Sequence, residues 1–258
     1  MSSFTPVTGD EAAHWAAVRN RLLRPMSGPE YPVYTSLPFS DPSWQAALVT
    51  HNLAEAHTAE GPKSGGWPRR DGMRDIENCN DPLMWCLQDR GCREIVLTIE
   101  WQRPRPVKDG KTPVFYCRCT PDLESLYDVA WFFENQEKDC KRGMGFYGPV
   151  MIAFDESEEW AIADGKEEFH LLGGTPAFIQ QYFDAAGGED YVRAWYYHWE
   201  MWNITEIDHG PLYDLVGWPR PVVPPGGLYA NTGGDIDWTP MFGDRIKSCG
   251  PDVSDPDE

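Results

Sequence analysis

The sequence lacks any long hydrophobic run. Its longest uninterrupted apolar stretches, such as Val150 to Phe154, are five residues, against the roughly 20 that a membrane helix requires. No basic-then-apolar stretch follows Met1, so no secretory signal is expected and the reading is a cytoplasmic, soluble chain. Positive charge is also scarce: 22 Lys+Arg stand against 41 Asp+Glu, a formal net charge of −19. A nucleic-acid interface needs a basic stripe facing phosphates, so direct nucleic-acid binding is excluded as an expectation. Attachment to anionic lipid is disfavoured on the same ground. No dinucleotide, phosphate-loop or zinc-knuckle motif is present, and neither a cofactor nor a metal is expected.

What is present is aromatic and punctuated. The 258 residues include 12 Trp, 24 Gly and 23 Pro, which together indicate a substantial core with many sharp turns. The seven cysteines (Cys79, Cys86, Cys92, Cys117, Cys119, Cys140 and Cys249) are an odd number in a chain too large for a disulfide mini-domain. They are expected to be reduced and mostly buried.

Four capping residues precede proline: Asp41-Pro42, Asp81-Pro82, Thr120-Pro121 and Thr175-Pro176. The side-chain oxygen can accept from free N–H groups while proline at the first turn forfeits no hydrogen bond, so each predicts a helix start. The first of these helices would carry Trp44, Leu48 and His51 on a stripe and end near Gly61. The second would end at Gly91 in a left-handed cap. The third would face Leu123, Leu126, Tyr127, Ala130 and Phe133 inward, and Gly187-Gly188 would close the fourth. Two further helices are predicted at 10–24 (Trp15, Val18, Leu22) and 190–202, the latter rich in Tyr and Trp.

Strand patterns occur at 93–101, 112–119, 150–154, 160–163 and 167–172, with turns at Asp109-Gly110 and Asp164-Gly165. Strands in runs and helices in runs predict an α+β fold, with a mostly antiparallel central sheet of about five strands. One domain over 1–250 is expected. It would have a helical N-terminal part (10–91), a sheet-containing part (92–202), an irregular Pro/Gly-rich part (203–250) and an acidic tail (251–258).

Most chemical candidates have a plain structural account. Cys117 and Cys119 share a strand face, but the chain offers no second close-spaced cysteine pair for zinc. Cys79, just before a helix start and near Arg69, Arg70 and Arg74, is the candidate for a reactive thiol. His51 and His57 are six apart, the wrong spacing for one metal on a helix, and His170 and His198 read as structural. Gly173-Gly174-Thr175 reads as a turn and helix cap.

Charge location is more specific. Residues 1–129 carry 14 basic and 17 acidic side chains, residues 130–258 carry 8 and 24. The densest group is Asp155, Glu156, Glu158 and Glu159, with Asp164, Glu167 and Glu168 on the next turn and strand. Solvation is the simplest account. A binding face for a cationic protein, or carboxylates for acid–base or divalent-cation chemistry, also fits.

The phrase Trp160-Ala-Ile, Phe169-His-Leu-Leu-Gly173-Gly174, Ala177-Phe178-Ile179, within Val150–Val192, resembles segments of bacterial polymorphic-toxin immunity proteins. The resemblance implies a non-catalytic inhibitor that binds a cognate, cationic protein toxin. A hydrolase using the carboxylates or Cys79 is the alternative. An acidic nucleic-acid mimic, of the kind phages use against host defence, is a further one.

Overall fold

In the computed structural model, a seven-stranded antiparallel sheet has the order β1-β5-β4-β6-β7-β8-β2. The structure describes residues 3–24, 36–51, 53, 68–69, 78–100, 115–138, 150–164, 170–202, 210–221 and 239–248. The strands are β1 (Phe4–Val7), β2 (Gln45–Val49), β4 (Ile95–Glu100), β5 (Tyr116–Cys119), β6 (Val150–Phe154), β7 (Trp160–Asp164) and β8 (His170–Gly174). A two-residue strand β3 (Pro68–Arg69) pairs with β9 (Lys247–Ser248) apart from this sheet. The helices are α1 (Gly9–Leu22), α2 (Asp81–Asp89), α3 (Leu123–Lys138), α4 (Pro176–Ala185), α5 (Glu189–Trp202), α6 (Gly210–Val216) and α7 (Thr239–Phe242). No helix among the described residues is long and apolar enough to cross a membrane. The α+β class and antiparallel sheet expected from the sequence are present.

The strand count is corrected from five to seven, and both additions are edges. The five expected strands form the contiguous centre β5-β4-β6-β7-β8, flanked by β1 and β2 from the N-terminal part. That part is therefore not simply helical. The helix expected after Asp41-Pro42 is instead a turn followed by β2. Asp41 accepts from the Ser43 N–H at 2.8 Å and its carbonyl from Trp44 N–H at 3.2 Å. The chain then runs antiparallel to β8, with Ala47 opposite Leu172. Trp44 and Leu48 are both buried. Their spacing of four residues puts two side chains on one face of a helix and equally on one face of a strand, so it did not distinguish them.

Side chains of paired residues project to the same face. The register therefore defines one face containing Val96, Phe154, Ala161 and Gly173, and another containing Leu97, Ala153, Ile162 and Leu172. On the first face lies α1, whose Trp15 ring meets Phe154 at 6.2 Å. Phe39 covers Gly173 on that same side, where an added Cβ would stand inside the Phe39 ring. The opposite face carries α4, whose Phe178 stacks on Trp160, and α3, whose Phe132 contacts Phe4.

Local signals account for the helix ends. Thr175 accepts from Phe178 N–H at 3.2 Å and begins α4 as expected. α3 begins at Leu123, not Pro121, because the Asp122 carboxylate accepts from Ser125 N–H at 2.8 Å and serves as the cap. Leu126, Ala130 and Phe133 face inward, but Tyr127 is exposed because it lies one residue past the stripe. The described aromatics of α5 are covered: Tyr191, Trp195, Tyr196 and Tyr197 are buried. Tyr196 and Tyr197 meet Tyr213 and Trp218 edge-on. Those partners sit on α6 and just beyond it, so the segment expected to be irregular supplies helices that seal the core. The Asp109-Gly110 turn and the tail 251–258 lie outside the described residues.

Candidate functional site

The acidic sequence Asp155–Glu159 forms the turn between β6 and β7, and the fold has used most of its charges. Asp155 is 7% exposed. Its Oδ1 accepts from Ser157 N–H at 2.9 Å and from the Ser157 hydroxyl, while the Cys92 thiol donates to Oδ2 at 3.4 Å. Glu158 sits at φ 54°, a left-handed conformation unusual for a side-chain-bearing residue. Its carboxylate takes both Nε and Nη2 of Arg21, on α1. That fork holds the Glu158 carboxyl below its ordinary range. Glu159 is paired with Arg90, whose other branch donates to Gln181 at 2.9 Å. Of the four acids in the turn only Glu156 is classed as exposed, and no basic side chain pairs with it among the described residues.

The turn borders a cleft of about 810 Å³ lined by Trp15, Arg90, Gly91, Cys92, Arg93, Glu94, Val96 and Asp155–Ser157. Antiparallel pairing creates it: the start of β4 lies beside the end of β6, with Val96 opposite Phe154. Its α2 wall ends in the expected left-handed glycine. Gly91 has φ 72°, its N–H donates to the Gln88 carbonyl at 2.8 Å and Cys92 N–H donates to Leu87 at 2.9 Å. This two-bond cap satisfies the last carbonyls and turns the chain sharply into β4. Arg118 ties the rim by pairing with Glu11 at 2.8 Å and Glu94 at 3.0 Å.

Of the seven acidic residues predicted to bind a partner, the structure brings Asp155, Glu156, Glu158 and Glu159 into this single turn. Asp164 ends β7 opposite His170 on the backbone, and its side chain is outside the described set. Glu167 and Glu168 are also outside it. The sequence did not signal the Trp15, Arg93 and Val96 walls, which come from distant segments.

Burial keeps four of the described thiols protonated. Burial pushes Cys86, Cys92 and Cys117 up to about 12, with Asp155 adding to the effect at Cys92, and raises Cys119 as well. A thiol so protonated is a poor nucleophile at neutral pH. Cys79 is half-buried, and its carbonyl accepts from His51 Nδ1 at 2.7 Å. Cys117 and Cys119 are buried, and among the described residues no group of three or more His, Cys, Asp or Glu is placed to hold a metal ion. We therefore expect a thiol reagent at mildly alkaline pH to leave Cys86, Cys92, Cys117 and Cys119 unlabelled in the native protein and to label them once urea unfolds it. Peptide mass mapping would locate the modified residues. Rapid native labelling of Cys117 would contradict the burial account.

His57 lies outside the described residues, as does the side chain of His198. Comparison with protein-family models, curated proteins and solved structures gives no match to this chain.

Proposed function

We propose that the chain is a non-catalytic protein-binding inhibitor of the immunity type, which neutralises a cationic bacterial toxin. The supporting observation is the β6–β7 turn, an acidic loop fixed before any partner arrives. Asp155 organises its backbone, Arg21 and Arg90 clamp Glu158 and Glu159, and Glu156 is left presented at the mouth of a cleft. A loop already ordered loses little entropy on binding. Its charge, set in a strongly acidic chain, would speed encounter with a basic surface. Such a role requires no catalytic group and implies action in the cytoplasm. Exposed carboxylates also occur on α1, α2, α3, α4 and α6, a scatter that favours a local contact over a phosphate-like row.

The test is binding to the toxin encoded beside this gene. A one-to-one complex is expected by calorimetry at low salt, weakening at high salt as exposed charges are screened. Glu156→Lys should weaken it about tenfold, chiefly through slower association, with an unchanged melting temperature. Glu158→Lys should reduce stability as well, because it sets a second cation beside Arg21. Absence of a complex at low salt would overturn the proposal.

A further inference from the structure

We infer that the cleft between α1, the α2–β4 connection and the β6–β7 turn receives a basic side chain carried on a peptide segment of the partner. For the nature of that partner, the inference rests on the function proposed above. Three groups in the cleft call for a ligand of this kind. Asp155 is buried, yet its Oδ2 is served only by the Cys92 thiol at 3.4 Å among the described residues. A thiol is a weak donor and a carboxylate out of water requires strong ones. Glu156 is exposed on the same rim without a basic partner among the described residues. Trp15, 8% exposed, gives the cleft an aromatic wall beside them.

The other charges of the lining are already matched. Arg90 is held by Glu159, and Glu94 by Arg118. What remains is Asp155 Oδ2, the Glu156 carboxylate and the exposed Arg93. A Lys or Arg side chain would donate to Asp155 and Glu156 while its methylenes lie along Trp15 and Val96. The carbonyls of the same segment are acceptors for Arg93. An acidic side chain would face Asp155 and Glu156 with like charge, and an inorganic anion would leave both carboxylates unmet.

The probe is the tripeptide acetyl-Gly-Arg-Gly-amide, with acetyl-Gly-Glu-Gly-amide as control. It is titrated into the full chain while the Trp15 indole N–H resonance, assigned by its loss in Trp15→Phe, is followed. The arginine peptide should move that resonance to saturation, the glutamate peptide should not, and Glu156→Gln should weaken the arginine peptide several-fold. A Trp15 signal unmoved by the arginine peptide, or moved equally by both, would refute the assignment. A toxin complex unaffected by Glu156→Gln, with no peptide response, would remove the cleft inference and leave the inhibitor role standing. A saturating peptide response with no toxin complex would do the reverse.

Discussion

Trp160→Ala is expected to lower the unfolding free energy by about 4 kcal/mol, within the range for deleting a large aromatic from a closed core. Trp160 is fully buried, and its ring stacks on Phe178 at 5.5 Å with only 6° between planes. It lies opposite Gly174, where an added Cβ would come within 2.8 Å of the Glu159 carbonyl and 3.0 Å of Phe178. Strand and helix are thus already at contact distance around the ring, and the backbone has little freedom to collapse into the space. Against a typical total of roughly 5–15 kcal/mol, such a loss leaves a marginal protein. Trp160→Phe should cost far less, under about 1.5 kcal/mol. It keeps an aromatic against Phe178 and removes an indole N–H that is buried without a partner among the described residues. Urea midpoints at constant m-value would measure both, and an alanine loss below about 1 kcal/mol would show that the site relaxes. The alanine variant should also weaken partner binding. Glu159, the preceding residue, pairs with Arg90 through its side chain, and its carbonyl accepts from Thr175 N–H at 2.9 Å, so loss of the ring loosens the acidic turn from its base.

The parts of this fold that were legible are those in which local and tertiary demands agree. Met151–Phe154 and Trp160–Ala163 lie in central strands and are buried on both faces, so each reads as a continuous apolar run. The edge strands do not. β1 is four residues, contains Pro6, and alternates exposed and buried only at its end. β2 shows the same spacing of apolar residues that a helix would show, and only its partner β8 settles the matter. The helix starts at Thr175 and the cap at Gly91 were legible because a side-chain acceptor and a positive-φ glycine act within three residues. The aromatic stretch of α5 was ambiguous for the opposite reason: what covers Tyr196 and Tyr197 is Tyr213 and Trp218, from a region whose prolines and glycines masked a helix.

The candidate site divides along the same line. Clustering of the acids around Asp155 was visible, but the ion pair of Glu158 reaches a residue 137 positions away. Charge in a sequence therefore overstated what the surface offers: two of these carboxylates are neutralised by Arg21 and Arg90, and one is buried in its own turn. Among the described residues of the site the free charge reduces to Glu156, and the cleft beside it exists only because β4 and β6 are neighbours in the sheet. On the α1 face Trp15 and Phe39 pack on the sheet, and the cleft opens beside Trp15.

Acidification is expected to destabilise the protein through His51, well above the range in which carboxylates titrate. His51 follows β2 and is 1% exposed. Its Nδ1–H donates to the Cys79 carbonyl at 2.7 Å, which fixes the tautomer, and its Nε2 is buried without a partner among the described residues. The ring meets Tyr182 edge-on at 5.5 Å. Burial is the main cause holding its pKa down to about 3, with the charge of nearby His170 acting in the same direction and the Cys79 hydrogen bond opposing them. In the unfolded chain the imidazole titrates near 6.5. Below that value the unfolded state binds a proton that the folded state refuses, so stability falls as pH falls. The contribution is fully retained above pH 6.5 and is lost progressively toward pH 3, at up to about 1.4 kcal/mol per pH unit, or about 2 kcal/mol by pH 5. Glu158, lowered by Arg21, adds a loss of the same sign at lower pH. That contribution is common to wild type and to His51→Gln, so the difference between their urea stabilities at pH 7.5, 6 and 5 isolates the histidine. The variant should be less stable at pH 7.5, since it disturbs the bond to Cys79, yet should lose less on acidification, so that the two curves converge. Parallel curves would mean that His51 takes up its proton in the folded state and that the neighbourhood of His170 and Tyr182 is open to water.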